Sequence, residues 1–537
     1  MTITASRKTG RAALFAAAAF AVLAAVAPAP ADAQIFRYGS ANDILGLDPH
    51  ANNHGVTNAM KSNMYDPLVR RNFDGSLQPG LAESWTQTNP TTWRFNLRRN
   101  VRFHGGQPFT ADDVITSFAR VRQQTSDMSY TVVSIDRIEK VDDNTINIIT
   151  KGPNPVLLQD LTLFFIMSKP WIEANNAMVV SRSGQAGAAT NFANLNVNGT
   201  GPFRFVERVA DERTVMEINP NAWDPATATG ITRAIWRPVA NPATRVAAVR
   251  SRELDLMYPV PLQDVNALRQ LSDLRVVQGP TARTVYFAFD TVRDNLLDQP
   301  NVKNPLKDAR VRRAIYQAIN SQALMRVTMR GFGQASGLII APQVQGWDQE
   351  SNQRLPYDQA ASRRLLAEAG YPNGVTVPFH CPNNRYINDE DICTAVVSML
   401  AQVGITARLN AMPFSQFIPA GGQGQFQFYL LGWTPGNFDI SNPLRELLTM
   451  TDGAGTFNWG KYQNPQVEAL RNQIAVETDM TKRAALSKQV WSIIRQDVPI
   501  VPLHQEPQVF AMLNDRIAEF KMRVQEDVEL RHVRLRR

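Results

Sequence analysis

Apolar residues in this chain follow two rhythms. In some stretches they alternate with polar ones: Trp93, Phe95 and Leu97; Val101 and Phe103 after a turn at Asn100; Ile146 and Ile148; and Val285, Phe287 and Phe289. Alternation of this kind puts one face of an extended strand into a core. From Asp308 the spacing changes. Val311, Ala314, Ile315, Ala318 and Ile319 fall on one face of a helix, with Asp308 as its N-cap. The spacing predicts a further helix over 358–369, stopped by Gly370. It also predicts a strand over 426–431, a last helix over 484–495, and then a strand holding Pro499 and Pro502. Gly105-Gly106 with Pro108 reads as a turn, and Thr110-Ala111-Asp112-Asp113 as a capped helix start. A Gly/Ala/Asn-rich stretch, Ser183 to Thr200, reads as a boundary or connection. Strand and helix signals interleave along all 537 residues, which argues α/β or α+β architecture, and no internal repeat is visible.

The N-terminus sets the compartment. Arg7, Lys8 and Arg11 precede an unbroken apolar run, Ala12 to Ala27, and Ala31-Asp32-Ala33 follows as an A-x-A site. This is the pattern of a secretory leader cleaved after Ala33. The run falls short of the roughly 20 residues of a spanning helix, and no Cys follows the site to carry a lipid. The expectation is an exported, soluble chain.

Export bears on the two cysteines, Cys381 and Cys393. A bridge is allowed in an oxidising compartment. Cys381 closes an apolar run, and Cys393 lies on a helical face with Ile392, Val396, Met399, Leu400 and Val403. The expectation is two buried free thiols.

Charge excludes some functions. Lys+Arg outnumber Asp+Glu by 56 to 48, a net +8 spread thinly over the chain. A nucleic-acid binder concentrates such an excess, and only Arg531 to Arg537 does so here. That tail reads as a solvated terminus. Catalytic signatures are missing too. The six histidines form no HExxH, and there is no CxxC or GxSxG. Gly455 to Lys461 matches GxxxxGK, but Tyr462 stands where a magnesium-binding hydroxyl is needed. His54, in the polar loop His50 to Gly55, reads as a ligand-lining residue, with a His50–His54 metal pair as the alternative.

Several segments in order resemble the family 5 extracellular solute-binding proteins, the peptide-, nickel- and glutathione-binding components of ABC importers. They are Leu81-Ala82-Glu83-Ser84-Trp85 with Thr92-Trp93-Arg94-Phe95, then Val101 to Gly106, then Pro108 to Val114. Gly199-Thr200-Gly201-Pro202-Phe203, Asp308 to Ala314, Ala369-Gly370-Tyr371-Pro372 and Gly432-Trp433 follow. The resemblance spans nearly all of 36–510. It implies a two-lobed α/β periplasmic binding protein (type II, cluster C-like) with an extra domain in the first lobe. The implied division is a core domain of lobe 1 from 34–72, 195–295 and 505–537, an extra domain over 73–194, and lobe 2 over 296–504. The implied partners are a small peptide or peptide-like ligand and an inner-membrane ABC permease. A monomer in the periplasm, with no cofactor, no metal and no chemistry, completes that picture. Alternatives are a glutathione, opine-like or nickel-metallophore carrier, and more remotely an exported hydrolase or chaperone.

The resemblance also suggests the site. Relatives hold the peptide carboxylate with an Arg, and Arg385-Tyr386-Ile387-Asn388 falls in the matching place. A guanidinium suits that role because its fork donates two parallel hydrogen bonds. Relatives place an Asp for the peptide amine three residues after the Gly-Trp tryptophan, where this chain has Gly436. Asp439 is then the candidate to reach an amine, with Asn437 beside it, and Trp433 would form an apolar wall. Asn53, His54 and Thr57 match a ligand-lining loop.

Overall fold

The computed structural model describes residues 1–2, 34–224, 229–525 and 528–536. The leader, with its cleavage site at Ala33, lies outside the described residues. Among these residues no helix is long and apolar enough to cross a membrane.

One 11-stranded sheet organises the chain. Its order runs Ile405–Met412, Val375–Pro382, Phe428–Trp433, Leu274–Phe289, Ile500–Leu513, Leu256–Met257, Ile35–Ser40, Arg233–Pro238, Arg213–Ile218 and Phe203–Val209. Gln334–Ala335 adds a short strand against Ile500–Leu513. Two strands, Leu274–Phe289 and Ile500–Leu513, belong to both halves of this sheet. They pair antiparallel from Leu274–Leu513 to Ala288–Ile500, with register shifts between Pro280 and Thr284 and between Val285 and Tyr286. Every residue of Ile500–Leu513 is buried. Such a strand must pair its backbone polar groups internally, which fixes its position.

A separate four-stranded antiparallel sheet holds Ala82–Asn89, Thr92–Leu97, Thr145–Thr150 and Ile135–Asp142. Phe95, Leu97, Ile146 and Ile148 alternate inward and meet Val114 and Phe118 of the helix Ala111–Val121. That helix is capped as expected, with the Thr110 amide donating to Asp113 Oδ2 at 2.8 Å. Val101 and Phe103 are buried but form no strand, only an isolated bridge of Arg102 with Pro108. Further local signals hold. Asp308 accepts from the Arg310 amide at 2.8 Å and heads the helix Ala309–Ala318. Asp358 accepts from the Ala361 amide at 2.8 Å, and Gly370 ends its helix at φ +93°. The strand expected over 426–431 runs Phe428–Trp433, and the last helix runs Met480–Asp497, capped by Asp479. Gly460-Lys461 does not open a helix; the next begins at Pro465.

Two expectations are corrected. Cys381 and Cys393 are joined in a disulfide, with Cα atoms 6.6 Å apart. The helix Asp389–Ala401 folds back onto the strand Val375–Pro382, so its first turn meets the strand end and brings the two sulfurs together. The basic tail is not a solvated terminus in its described part. Val533–Leu535 pairs with Ile517–Phe520, and Leu530, Val533 and Leu535 are buried. Arginines alternate with apolar residues there, so a strand buries one set and frees the other.

Candidate ligand-binding cleft

A cleft is lined on one side by Arg283, Arg385, Gly432 and Trp433, from the large sheet and the loop after Val375–Pro382, and on the other by Asn53, His54, Arg70 and Arg71 from the N-terminal region, with Arg523 and Arg531. One end is built on the loop between the strand Val375–Pro382 and the helix Asp389–Ala401. Asp389 Oδ2 accepts from the amides of Arg385 at 2.8 Å and Tyr386 at 3.0 Å. The Cys381–Cys393 disulfide ties the two stems of this loop. The Arg385 guanidinium lies over the rings of Tyr386 and Phe414, 5.1 and 5.5 Å from their centroids. Burial, with the Arg283 charge nearby, draws Arg385 down to about 10, so it remains cationic at neutral pH. Behind it, Arg283 Nη1 meets Glu506 Oε2 at 2.8 Å, and Glu506 Oε1 accepts from the Ile387 amide at 2.8 Å. The Tyr386 hydroxyl accepts from the Gly432 amide at 2.7 Å. A Cβ at Gly432 would come within 2.6 Å of the Tyr386 ring, so the Gly-Trp glycine is demanded by packing.

Trp433 lines the cleft, its Nε1 donating to Asn442 Oδ1 at 2.8 Å and its ring 5.0 Å from that of Phe457. Asn53 and His54 line it as well. His54 Nε2 lies 3.4 Å from Asn42 Nδ2, and His54 Nδ1 lies 3.0 Å from Thr57 Oγ1. Burial, then the nearby Arg385 charge, holds His54 well below the ordinary imidazole range, hence neutral. Thr57 itself is fully buried, outside the cleft lining, and meets His54. His50 is engaged on both nitrogens, by the Phe165 carbonyl at 2.8 Å and Arg120 Nη1 at 3.1 Å. Neither histidine offers a metal a free ring nitrogen.

The Gly436 end differs from the expectation drawn for an amine. A Cβ at Gly436 would come 2.4 Å from the Tyr130 hydroxyl and 3.1 Å from Leu163, so the space of a side chain is already filled. Asp439 is 1% exposed and points away. Both its oxygens meet Arg483, at 2.8 and 2.7 Å, and Oδ1 also caps the Ser441 amide. Asn437 Nδ2 donates to Asp160 Oδ1 at 2.8 Å, a contact between the small-sheet region and the far side of the cleft. Burial pushes the Asp160 carboxyl up to about 7.

Sequence reasoning missed several cleft residues. Arg71 ends the short strand Val69–Arg71, Arg523 follows the strand Ile517–Phe520, and Arg531 opens the basic tail. Arg70-Arg71 gave no motif, and the tail carried a charge signal that was read as solvent-facing.

The sequence profile described as bacterial extracellular solute-binding proteins, family 5, middle region, matches residues 76–455. Heme-binding protein A of Haemophilus influenzae is 27% identical over 509 residues, covering 90% of this chain and 89% of that protein. The dipeptide-binding protein of Escherichia coli is 26% identical over 510 residues, covering 89% and 90%. Among solved structures, the periplasmic binding protein DppA from Helicobacter pylori, in complex with the peptide STSA, superposes with a TM-score of 0.81. It is 23% identical, with 94% of this chain and 98% of that one covered, and shares the two-lobed fold. With a profile match over most of its length and an inter-lobe cleft, the chain belongs to the family 5 bacterial extracellular solute-binding proteins.

Proposed function

We propose that this protein is the periplasmic capture component of an ABC importer for peptides or peptide-like ligands, which it delivers to an inner-membrane permease. The observation that carries this reading is the cleft: a partly open space between the N-terminal region and the Arg385–Trp433 side, lined by the Arg385 guanidinium. A carboxylate entering there meets a desolvated, stacked cation, where a charge-assisted bond is strongest. The lobes close over the ligand in proportion to its preference for the closed state. The protein performs no reaction in this reading, because capture and release are the whole task. Leader cleavage after Ala33 and a monomeric mature chain belong to the same proposal. So does the division into core domain (34–72, 195–295, 505–537), extra domain (73–194) and second lobe (296–504), supported by the strand groupings above.

The test is a thermal-shift screen of residues 34–537, unfolded and refolded to strip carried ligand. Di- and tripeptides, glutathione, opine-like conjugates, sugars and Ni²⁺ make up the panel. A true ligand at about 100 times its Kd adds roughly 2.7 kcal/mol of stability. Stabilisation by a peptide-like compound is expected. Stabilisation by sugars or Ni²⁺ alone would overturn the reading.

A further inference from the structure

Six guanidinium groups line the cleft, from Arg70, Arg71, Arg283, Arg385, Arg523 and Arg531, and Glu529 carries the single carboxylate among the lining residues. Most of these cations have acids close by. Arg70 meets Asp224 at 2.6 Å, Arg283 meets Glu506, Arg531 lies 3.3 Å from Asp66, and Arg523 meets Glu529.

Arg71 is different. It is 9% exposed and donates from Nη1 to the Gly75 carbonyl at 3.1 Å. Its Nε and Nη2 are buried without a hydrogen-bond partner, and no carboxylate among the described residues reaches it. A buried charge left in that state is costly unless something else satisfies it. The Phe438 ring stacks on the guanidinium, 4.5 Å to its centroid. Stacking occupies the flat face and leaves the N–H edge, which suits a planar acceptor in the same plane. Nearby polar groups are also unspent: the Tyr130 hydroxyl beneath Gly436 and the Thr434 hydroxyl on the cleft wall make no hydrogen bond. Arg71 and Arg385 occupy different parts of the cleft. Arg71 has Arg523, Asp160 and Tyr130 as electrostatic neighbours, whereas Arg385 has Arg283, Tyr386, Glu506 and Tyr258. Glu529, already engaged by Arg523 and Arg531, leaves no free acid for a ligand ammonium.

We infer that the cleft holds a second anion subsite at Arg71, and that its ligand is a peptide-like diacid with one acid group at Arg385 and the other at Arg71. This rests on the peptide-like reading above and narrows it. A ligand of this class has no free α-amine where relatives place an Asp, in keeping with Gly436.

The test compares three probes by calorimetry on stripped protein: N-succinyl-Ala-Ala, N-acetyl-Ala-Ala and Ala-Ala. The first two differ by a terminal CH2–CO2⁻ group. The wild-type protein should prefer the succinyl probe by about 10–100-fold, the range of one charge-assisted bond. Arg71→Gln should bring that ratio towards one, and Arg71→Lys, which keeps the charge and guards against a folding defect, should retain part of it. Equal affinity for the two acylated probes in wild type, or an unchanged ratio in Arg71→Gln, would overturn the subsite. Failure of all three probes to bind would overturn the peptide-like reading itself, and the subsite with it.

Discussion

The two ends of the cleft are built by different means. At the Arg385 end the frame is covalent and laddered: a disulfide across the loop stems, a carboxylate holding two loop amides, and the ion pair of the central strands behind. At the Gly436 end the frame is assembled by contact between halves. Arg71 stacks on Phe438, Asn437 donates to Asp160, and Tyr130 fills the space over Gly436. The first end is preorganised in one half of the molecule, which lowers the entropy lost on binding. The second consists of contacts between separate segments, so under the proposed closure it is the end that would couple ligand binding to that movement.

The sharpest way to break this comparison is Asp439. It was the sequence's candidate for an amine contact, yet both oxygens are committed to Arg483 in a buried pair. Asp439→Asn should cost about 3–5 kcal/mol of folding stability, because it strands a buried guanidinium. Urea unfolding measures it; a stable variant with selectively lost ligand affinity would return Asp439 to the ligand. Next comes Arg385→Ala, expected to cost about 2–5 kcal/mol of binding free energy. A calorimetric loss below about 0.5 kcal/mol would remove Arg385 from the ligand. Opening the disulfide by Cys381→Ser with Cys393→Ser should cost about 3 kcal/mol of stability, from the loop it closes. Affinity should fall with it, since the tether spans the Arg385 loop; unchanged affinity would show that the other hydrogen bonds suffice.

The smallest expected effect is a pH slope. Burial raises the Asp160 carboxyl to about 7, so between roughly pH 4 and 7 the folded protein holds a proton there that the unfolded chain has released. Its contribution to stability is therefore full at low pH and declines as pH rises towards 7. Asp389 and Glu446 are raised to about 7 by burial in the same way, so the slope has several sources. Asp160→Asn should shrink the loss of Tm between pH 5 and pH 8 relative to wild type. An unaltered slope would mean that Asp160 stays charged throughout, held by Asn437 and Asn154.

What could be read from the chain alone was local. Helix caps at Thr110 and Asp308 depend on residues a few positions apart, and each stands where its spacing placed it. The alternation Val285, Phe287, Phe289 revealed part of a strand but not that it continues to Leu274 and crosses between halves. Arg385 and Trp433 reach the cleft because a resemblance supplied their context, not because their spacing did. Arg71, Arg523 and Arg531 were illegible for the opposite reason: only long-range packing brings a short strand and the tail to one wall. The disulfide was missed because its decision lies in a Cα separation, which no composition encodes.

The Arg283–Glu506 pair sits on the two shared strands, beside the register shift between Pro280 and Thr284. Glu506 also holds the Ile387 amide, so the Arg385 loop is fastened directly to these strands. In mechanical terms, a carboxylate bound at Arg385 as proposed above would press at the fulcrum, not at the tip of the lever. On that reading, a small displacement there, carried by two bonded strands, would become a larger travel at the outer rims.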